Sequence, residues 1–302
     1  MLIYCTLSGD GLQYTLPDRD SDFCEFFSGC AAISAGLKLF GFVGISIDKT
    51  DKTYFDIMTP IGFLMAVRAI LRTKAGGLVW FAPPCGPWTW MCMAVSGRTR
   101  EDPLGNKAHP NVVLANRLVS RVAHLWYIAH KHNIHVIIEQ PSSSVMYYHP
   151  RMKQLEDKFH AKEKRSQLGA FAGPSRKDLI LKATAPITVL DALEKKISQL
   201  DRDAFKASRG EIELVTRKTD IHGKVRVTGS VDLKPSQAYP IGFGATLGQA
   251  FDVHCKHVGY VKASRSKPES YDINVDSDGS DVSYDSDLDW LDDVRAYCAE
   301  QS

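Results

Sequence analysis

The sequence predicts an α/β protein: a mostly parallel sheet with helices on both faces. Three observations carry that expectation. Short runs rich in β-branched and aromatic residues alternate with segments of helical periodicity. Each run stops at a polar or turn-forming residue, and side chains able to do chemistry stand at those stops. Open α/β sheets hold their ligands at that edge.

The run 23–27 (FCEFF) reads as a strand stopped by Ser28-Gly29, and AAISAGLKLF as a helix ending near Gly41. FVGISI, residues 42–47, reads as a second strand closed by Asp48. Residues 61–71 have a helical pattern that Gly76-Gly77 end, and LVWFA is a strand leading to Pro83-Pro84-Cys85. Prolines fix φ and lack a donor, so they end the strand and leave Cys85 on a stiff turn. Over 111–132, Leu114, Leu118, Val122, Leu125 and Ala129 mark one helical face. The strand HVII at 135–138 follows, stopped by Glu139-Gln140-Pro141. DALEKKISQLDRDAF reads as helical, and IGFGATLGQAFDVH returns to an apolar helical pattern after Tyr239-Pro240.

The expected organisation is an N-terminal extension over 1–21, a core over 22–185, a small basic segment over 186–236, a return to the core over 237–264, and a disordered acidic tail over 265–302. In the basic segment Lys206, Arg209, Arg217, Lys218, Lys224 and Arg226 gather around a turn at His222-Gly223. Residues 266–302 hold eleven acids against Lys267 and Arg295, a balance of −9, while residues 1–265 carry +11. A basic body with an acidic tail points to a polyanionic partner and to a tail that competes with it for the basic surface; solubility alone is the plainer reading.

No apolar run reaches the roughly 20 residues of a membrane span, and no basic leader opens the sequence, so an intracellular protein is expected. Seven cysteines at irregular spacing, without a CxxC pair, fit reduced thiols better than a disulfide framework. Most read as small buried hydrophobes; Cys85 is the exception, with Cys30 open. No metal site is expected from the ten histidines, which show no HxxxH spacing, though His130 and His132 lie close at a helix end.

Gly29, at the bend between the first strand and its helix, lets backbone approach a ligand. Asp48, nineteen positions on, is placed either as the acid that binds ribose hydroxyls in nucleotide-binding βαβ units or as a helix cap. A thiolate on a rigid turn is a good nucleophile toward an electron-poor ring carbon, and Glu139, directly after HVII, is a candidate acid partner.

The ordered set Glu25-Phe26-Phe27-Ser28-Gly29, Ile47-Asp48, Asp56-Ile57, Ala82-Pro83-Pro84-Cys85 and Glu139-Gln140-Pro141 resembles the cytosine-C5 DNA methyltransferases, and more closely a divergent branch of them. The resemblance spans roughly residues 22–185 and returns weakly at 239–252. It implies a Rossmann-like methyltransferase sheet with S-adenosylmethionine as cofactor and nucleic acid, most naturally DNA, as partner. Phe27, Ser28, Gly29 and Pro84 would belong to the cofactor pocket, Asp48 would bind its ribose, and Asp56 with Ile57 would flank its adenine. Cys85 would attack carbon 6 of a flipped-out cytosine, with Glu139 engaging ring N3 and Arg176 standing for an Arg-x-Arg motif. The chain departs from the family at Gly29-Cys30-Ala31-Ala32, which lacks the second glycine pair. It departs again at Gln140-Pro141, at Arg176-Lys177, and at Gly242-Phe243-Gly244, the remnant of a Gly-Asn-x-Val motif. Two other readings stay open: a methyltransferase fold kept as a nucleic-acid-binding or interaction module, and a small-molecule methyltransferase, which leaves Cys85 without a role. Trp88 and Trp90 are either core or base-stacking side chains.

Overall fold

The computed structural model describes residues 4–8, 11–15, 17–173, 175–199, 203, 215–219, 221, 223, 225–229 and 238–264. A compact unit runs Met1–Ser264, and the acidic tail lies outside the described residues. Its centre is a six-stranded sheet, β3 (Ser21–Phe26), β4 (Gly44–Ile47), β5 (Thr73–Phe81), β6 (His135–Pro141), β7 (Lys162–Gln167) and β8 (Asp178–Ala183), in the order β4-β3-β5-β6-β8-β7. The first four strands are parallel, and β8 runs antiparallel to both of its neighbours. Two antiparallel hairpins lie outside this sheet: β1 (Tyr4–Ser8) with β2 (Gly11–Thr15), in a stretch read from sequence only as an extension, and β9 (Val215–Thr219) with β10 (Val225–Gly229), in the basic segment.

The pleat sends alternate side chains to opposite faces. Phe23, Leu78, Trp80 and Ile137 pack on one side with α1 (Ala32–Leu39), α6 (Ile187–Leu193) and the C-terminal helix α7 (Ile241–Val258). Val79, Phe81, Val136 and Ile138 are buried too, on the side where α2 (Pro60–Arg72) and α4 (Pro110–Lys131) meet β5 and β6 and α5 (Pro150–Phe159) packs on α4. Three helix starts, those of α2, α4 and α5, follow a shared rule, with proline at the first helical position and a side-chain acceptor before it. Thr59 Oγ1 accepts from Gly62 N before α2, while His109 and His149 use Nδ1 in the same way before α4 and α5. α3 is a single turn, Met93–Ser96.

Several sequence expectations shift. Gly76-Gly77 do not end an element; they lie inside β5, which begins at Thr73. Gly76 adopts φ +79°, and the β3 register slips between Ser21 and Phe23 opposite, so the glycines absorb an irregularity within a strand. On α4, Val122, Leu125 and Ala129 are buried as expected, but toward the helix start the buried face runs through Val112, Ala115 and Val119, leaving Leu114 half exposed. The helix expected from Asp191 onward stops at Leu193 and residues 194–198 are not helical, while residues 200–202 and 204–205 lie outside the described residues, as do Lys206, Arg209, His222 and Lys224.

Gly244 has a packing role. A Cβ added there would stand 2.0 Å from Ala32 O, and one added at Gly36 would stand 2.0 Å from Gly244 backbone atoms. α1 and α7 therefore cross backbone against backbone. Among the described residues no helix is long and apolar enough to cross a membrane.

Candidate functional site

The chain leaves β3 toward β4 on one side and then crosses back to β5 on the other, so the strand order reverses at β3. At such a switch point the loops beyond the carboxyl ends separate and leave a crevice. Ser28-Gly29 and Cys85 follow the two strands flanking it.

The β3–α1 turn is tight. Phe27, Gly29 and Ala31 have φ of 59°, 51° and 53°, a run of left-handed backbone that only Gly29 adopts without a Cβ penalty. The turn is strapped to β4: Phe27 N donates to Ile47 O at 2.9 Å, and Gly29 N to Asp48 Oδ2 at 3.0 Å. The other Asp48 oxygen accepts from Thr50 N and Thr50 Oγ1. Partial burial pushes the Asp48 carboxyl up, but these hydrogen bonds outweigh it and hold the carboxyl below its ordinary range. Below the turn, buried Glu25 accepts from Ser34 N and Oγ through Oε2, while its Oε1 and the Ser28 hydroxyl have no partner among the described residues. Burial raises the Glu25 pKa. Cys30 is exposed, its sulfur 4.0 Å from Tyr239 O.

Asp56 and Ile57 lie between β4 and α2. Asp56 Oδ1 caps Met58 N, and buried Ile57 offers its carbonyl to Arg121 of α4 at 2.5 Å. The structure thus places Gly29 and Asp48 in direct contact, and Asp56-Ile57 in a loop of their own that α4 holds.

The second half of the crevice is built around Cys85. Pro83 is buried and Pro84 exposed, and Gln140 Nε2 donates to Pro83 O at 2.6 Å. Gln140 is in turn held by Ser144 Oγ at 2.8 Å. Beyond the thiol, Cys85 O accepts from Trp88 N and Trp88 O from Val145 N, so the turn is tied on both sides to the loop after β6. Trp88 is buried with the Arg98 guanidinium 3.7 Å from its ring, which assigns it to packing, whereas Trp90 is 43% exposed.

Glu139 is not beyond a strand end, as sequence had it, but inside β6. The parallel pairing of β5 with β6 ends at Phe81–Ile138, and β6 runs on through Glu139, Gln140 and Pro141 with β8 alone as partner. Glu139 therefore emerges past the end of β5, next to the cysteine turn. It is 5% exposed; Oε2 accepts from Tyr239 OH at 2.6 Å, and Oε1 has no partner among the described residues. Burial, with the Glu139 charge added, raises the Cys85 thiol pKa, and the ammonium of Lys177 opposes that rise. Lys177 Nζ also lies 6.0 Å from the Tyr239 ring centre. Cys85, Glu139, Lys177 and Tyr239 form one group. Arg176 pairs through Nε with Asp178 at 3.1 Å.

Sequence reasoning missed Tyr239, which it read only as an element boundary; nothing local to residues 239–240 announces a contact one hundred positions back. It also missed Gln140, visible only as a departure from a family pattern.

Among the described residues no group of three or more His, Cys, Asp or Glu side chains is placed to hold a metal. The turn does leave room for a cofactor. A Cβ added at Gly29 would meet nothing within 4 Å, the Ser28 hydroxyl is unused, and a carboxylate with about four acceptor sites has one left when Asp48 has received three hydrogen bonds. Compared with protein-family models and with curated proteins, the chain returns no match.

Proposed function

We propose that the chain has a Rossmann-like methyltransferase fold and methylates carbon 5 of cytosine in nucleic acid, using S-adenosylmethionine, with Cys85 as nucleophile. One observation carries the reading: a half-buried thiol, clamped on a proline turn at the switch point, beside a buried carboxyl with one unpartnered oxygen. Gly29, Ser28 and Asp48 would hold the cofactor, with Phe27, Pro84, Asp56 and Ile57 around it. When bound it supplies an electrophilic methyl group.

The chain's own residues do the rest. The Cys85 sulfur bonds to carbon 6 of the extruded base, and Glu139 relays the thiol's proton to ring N3, leaving carbon 5 electron-rich. After carbon 5 is methylated it loses its proton to water, the carbon–sulfur bond breaks as its electron pair returns to sulfur, and the proton on ring N3 passes back through Glu139 to the thiolate. Tyr239 fixes the rotamer of Glu139, and Gln140 fixes the turn that aims the thiol. Because the thiol's pKa is raised, Lys177 matters as the charge that favours thiolate.

The test is a pool of random-sequence oligonucleotides, DNA and RNA, single- and double-stranded, carrying 5-fluorocytosine, whose fluorine blocks the final elimination. A covalent adduct that needs S-adenosylmethionine and disappears in Cys85→Ala is expected. Its absence throughout the pool, with cofactor binding intact, removes C5 methylation.

A second reading has its own observation. Asp48 already commits three acceptor positions to Gly29 and Thr50, and Ala31 occupies a left-handed position where the family has glycine. Both favour a binding or interaction module that has lost the cofactor. Titration with S-adenosylmethionine separates the two: heat or a thermal shift supports the enzyme, and none at millimolar cofactor supports the module.

A further inference from the structure

A cavity of about 340 Å³ opens between the ends of β6, β7 and β8. Its cations come from three separate segments: Arg165 in β7, Arg176 before β8, and Lys196 after α6. The acid in its lining is Asp178, already engaged by Gln167 Nε2 at 2.7 Å and by Arg176 Nε. Arg176 uses only Nε in that pair, so its terminal nitrogens carry no partner among the described residues, and neither does Lys196. Arg165 is held loosely by Glu163 at 3.4 Å. The wall also contains Ser166, 1% exposed, whose hydroxyl has no hydrogen-bond partner among the described residues. A buried donor without a partner is costly, and cations gathered around a hollow repel one another. An oxyanion in the hollow offsets that repulsion.

We propose that this cavity binds a phosphate oxyanion, supplied by the backbone of a nucleic-acid strand. The placement argues for a strand as the source. Ser142, on the rim, follows Glu139 by three residues, and Arg176 directly precedes Lys177, whose charge bears on Cys85. A phosphodiester here belongs to a polymer passing the thiol. A neighbouring cavity of about 420 Å³ shares Lys196 and adds Lys195, so the positive rim continues past the first phosphate. The oxyanion chemistry stands by itself; its assignment to a strand rests on reading the Cys85 site as one for nucleic acid.

The experiment uses the full chain and two probes, a labelled random-sequence single-stranded oligonucleotide and inorganic phosphate. Arg165→Ala/Lys196→Ala removes two exposed cations outside the Cys85 group; Lys153→Ala/Lys158→Ala on α5 removes the same charge elsewhere. The cavity variant should bind the oligonucleotide roughly tenfold or more weakly, with a salt slope shallower by about 0.7 for each phosphate no longer neutralised, while the control stays within about twofold of wild type. Equal weakening in the two variants overturns the proposal. Acetylation of Lys196, followed by mass spectrometry, should be slowed by the oligonucleotide. Slowing by millimolar phosphate alone, without the oligonucleotide effect, overturns the assignment to a strand, and protection by neither probe overturns the site. None of these measurements involves cofactor or thiol, so their failure is distinct from failure of the fluorocytosine trap.

Discussion

The two halves of the crevice use their polar groups differently. At the β3–α1 turn, Asp48 accepts three hydrogen bonds from its own loops. At the β5–β6 edge, Glu139 is more deeply buried yet accepts one, from Tyr239, and keeps an oxygen without a partner among the described residues. A carboxylate whose valences are filled by backbone mainly shapes a turn. A buried one with a valence unfilled bears an energetic cost that an incoming donor relieves. Asp48 should therefore matter first to the fold, and Glu139 first to whatever the crevice receives.

The strongest challenge to that contrast is Glu139→Gln, which keeps the shape and removes the proposed proton relay. Adduct formation with fluorocytosine should slow by about 10²–10⁴-fold while the thermal midpoint barely moves. A variant that unfolds early but reacts normally would reverse the assignment. Next comes Gln140→Ala, which strands Pro83 O and the Ser144 hydroxyl in the interior. About 1–3 kcal/mol of stability should be lost in a denaturant titration. Asp48→Ala should cost a comparable or smaller amount with no cofactor present, of order 1 kcal/mol, because the straps to Gly29 and Thr50 go. If it leaves apo stability unchanged, the carboxylate is not a turn-former. The smallest effect is on titration. Iodoacetamide labelling of Cys85 should rise with pH through a midpoint above that of an ordinary thiol. Lys177→Ala should move that midpoint further up and Glu139→Gln should move it down, since the two charges act with opposite sign on the thiolate.

Legibility follows how local each cause is. Ser28-Gly29, Asp48 and Cys85 can be placed from sequence because strand and turn signals sit within a few residues of one another. The C-terminal part of the α4 face, Val122, Leu125 and Ala129, is legible from spacing, but in the first turns apolar residues outnumber the buried positions, and the neighbours of α4 decide that Val112 and Val119 go inward while Leu114 stays out. Glu139 was put past the strand end because Pro141 reads as a stop; β8, which lets β6 run on, is some forty residues away. Gly244 looked like the relic of a binding motif, yet the chemistry it serves is absence of a side chain against α1.

The crossing of α1 and α7 also orders events during synthesis. Gly36 and Gly244 are separated by about two hundred residues, so the face of α1 carrying Ala32 and Gly36 has no α7 to cover it until the end of the core is made. At roughly 5–20 residues per second a ribosome takes some tens of seconds to span that interval. Closure at such sequence distance is also entropically slow. Tyr239 arrives with the same helix, so the nascent chain holds its thiol turn long before the phenol that braces Glu139. A chain ending before Ile241 would expose an apolar helix face and lack its helix partner, a species suited to chaperones and prone to aggregate.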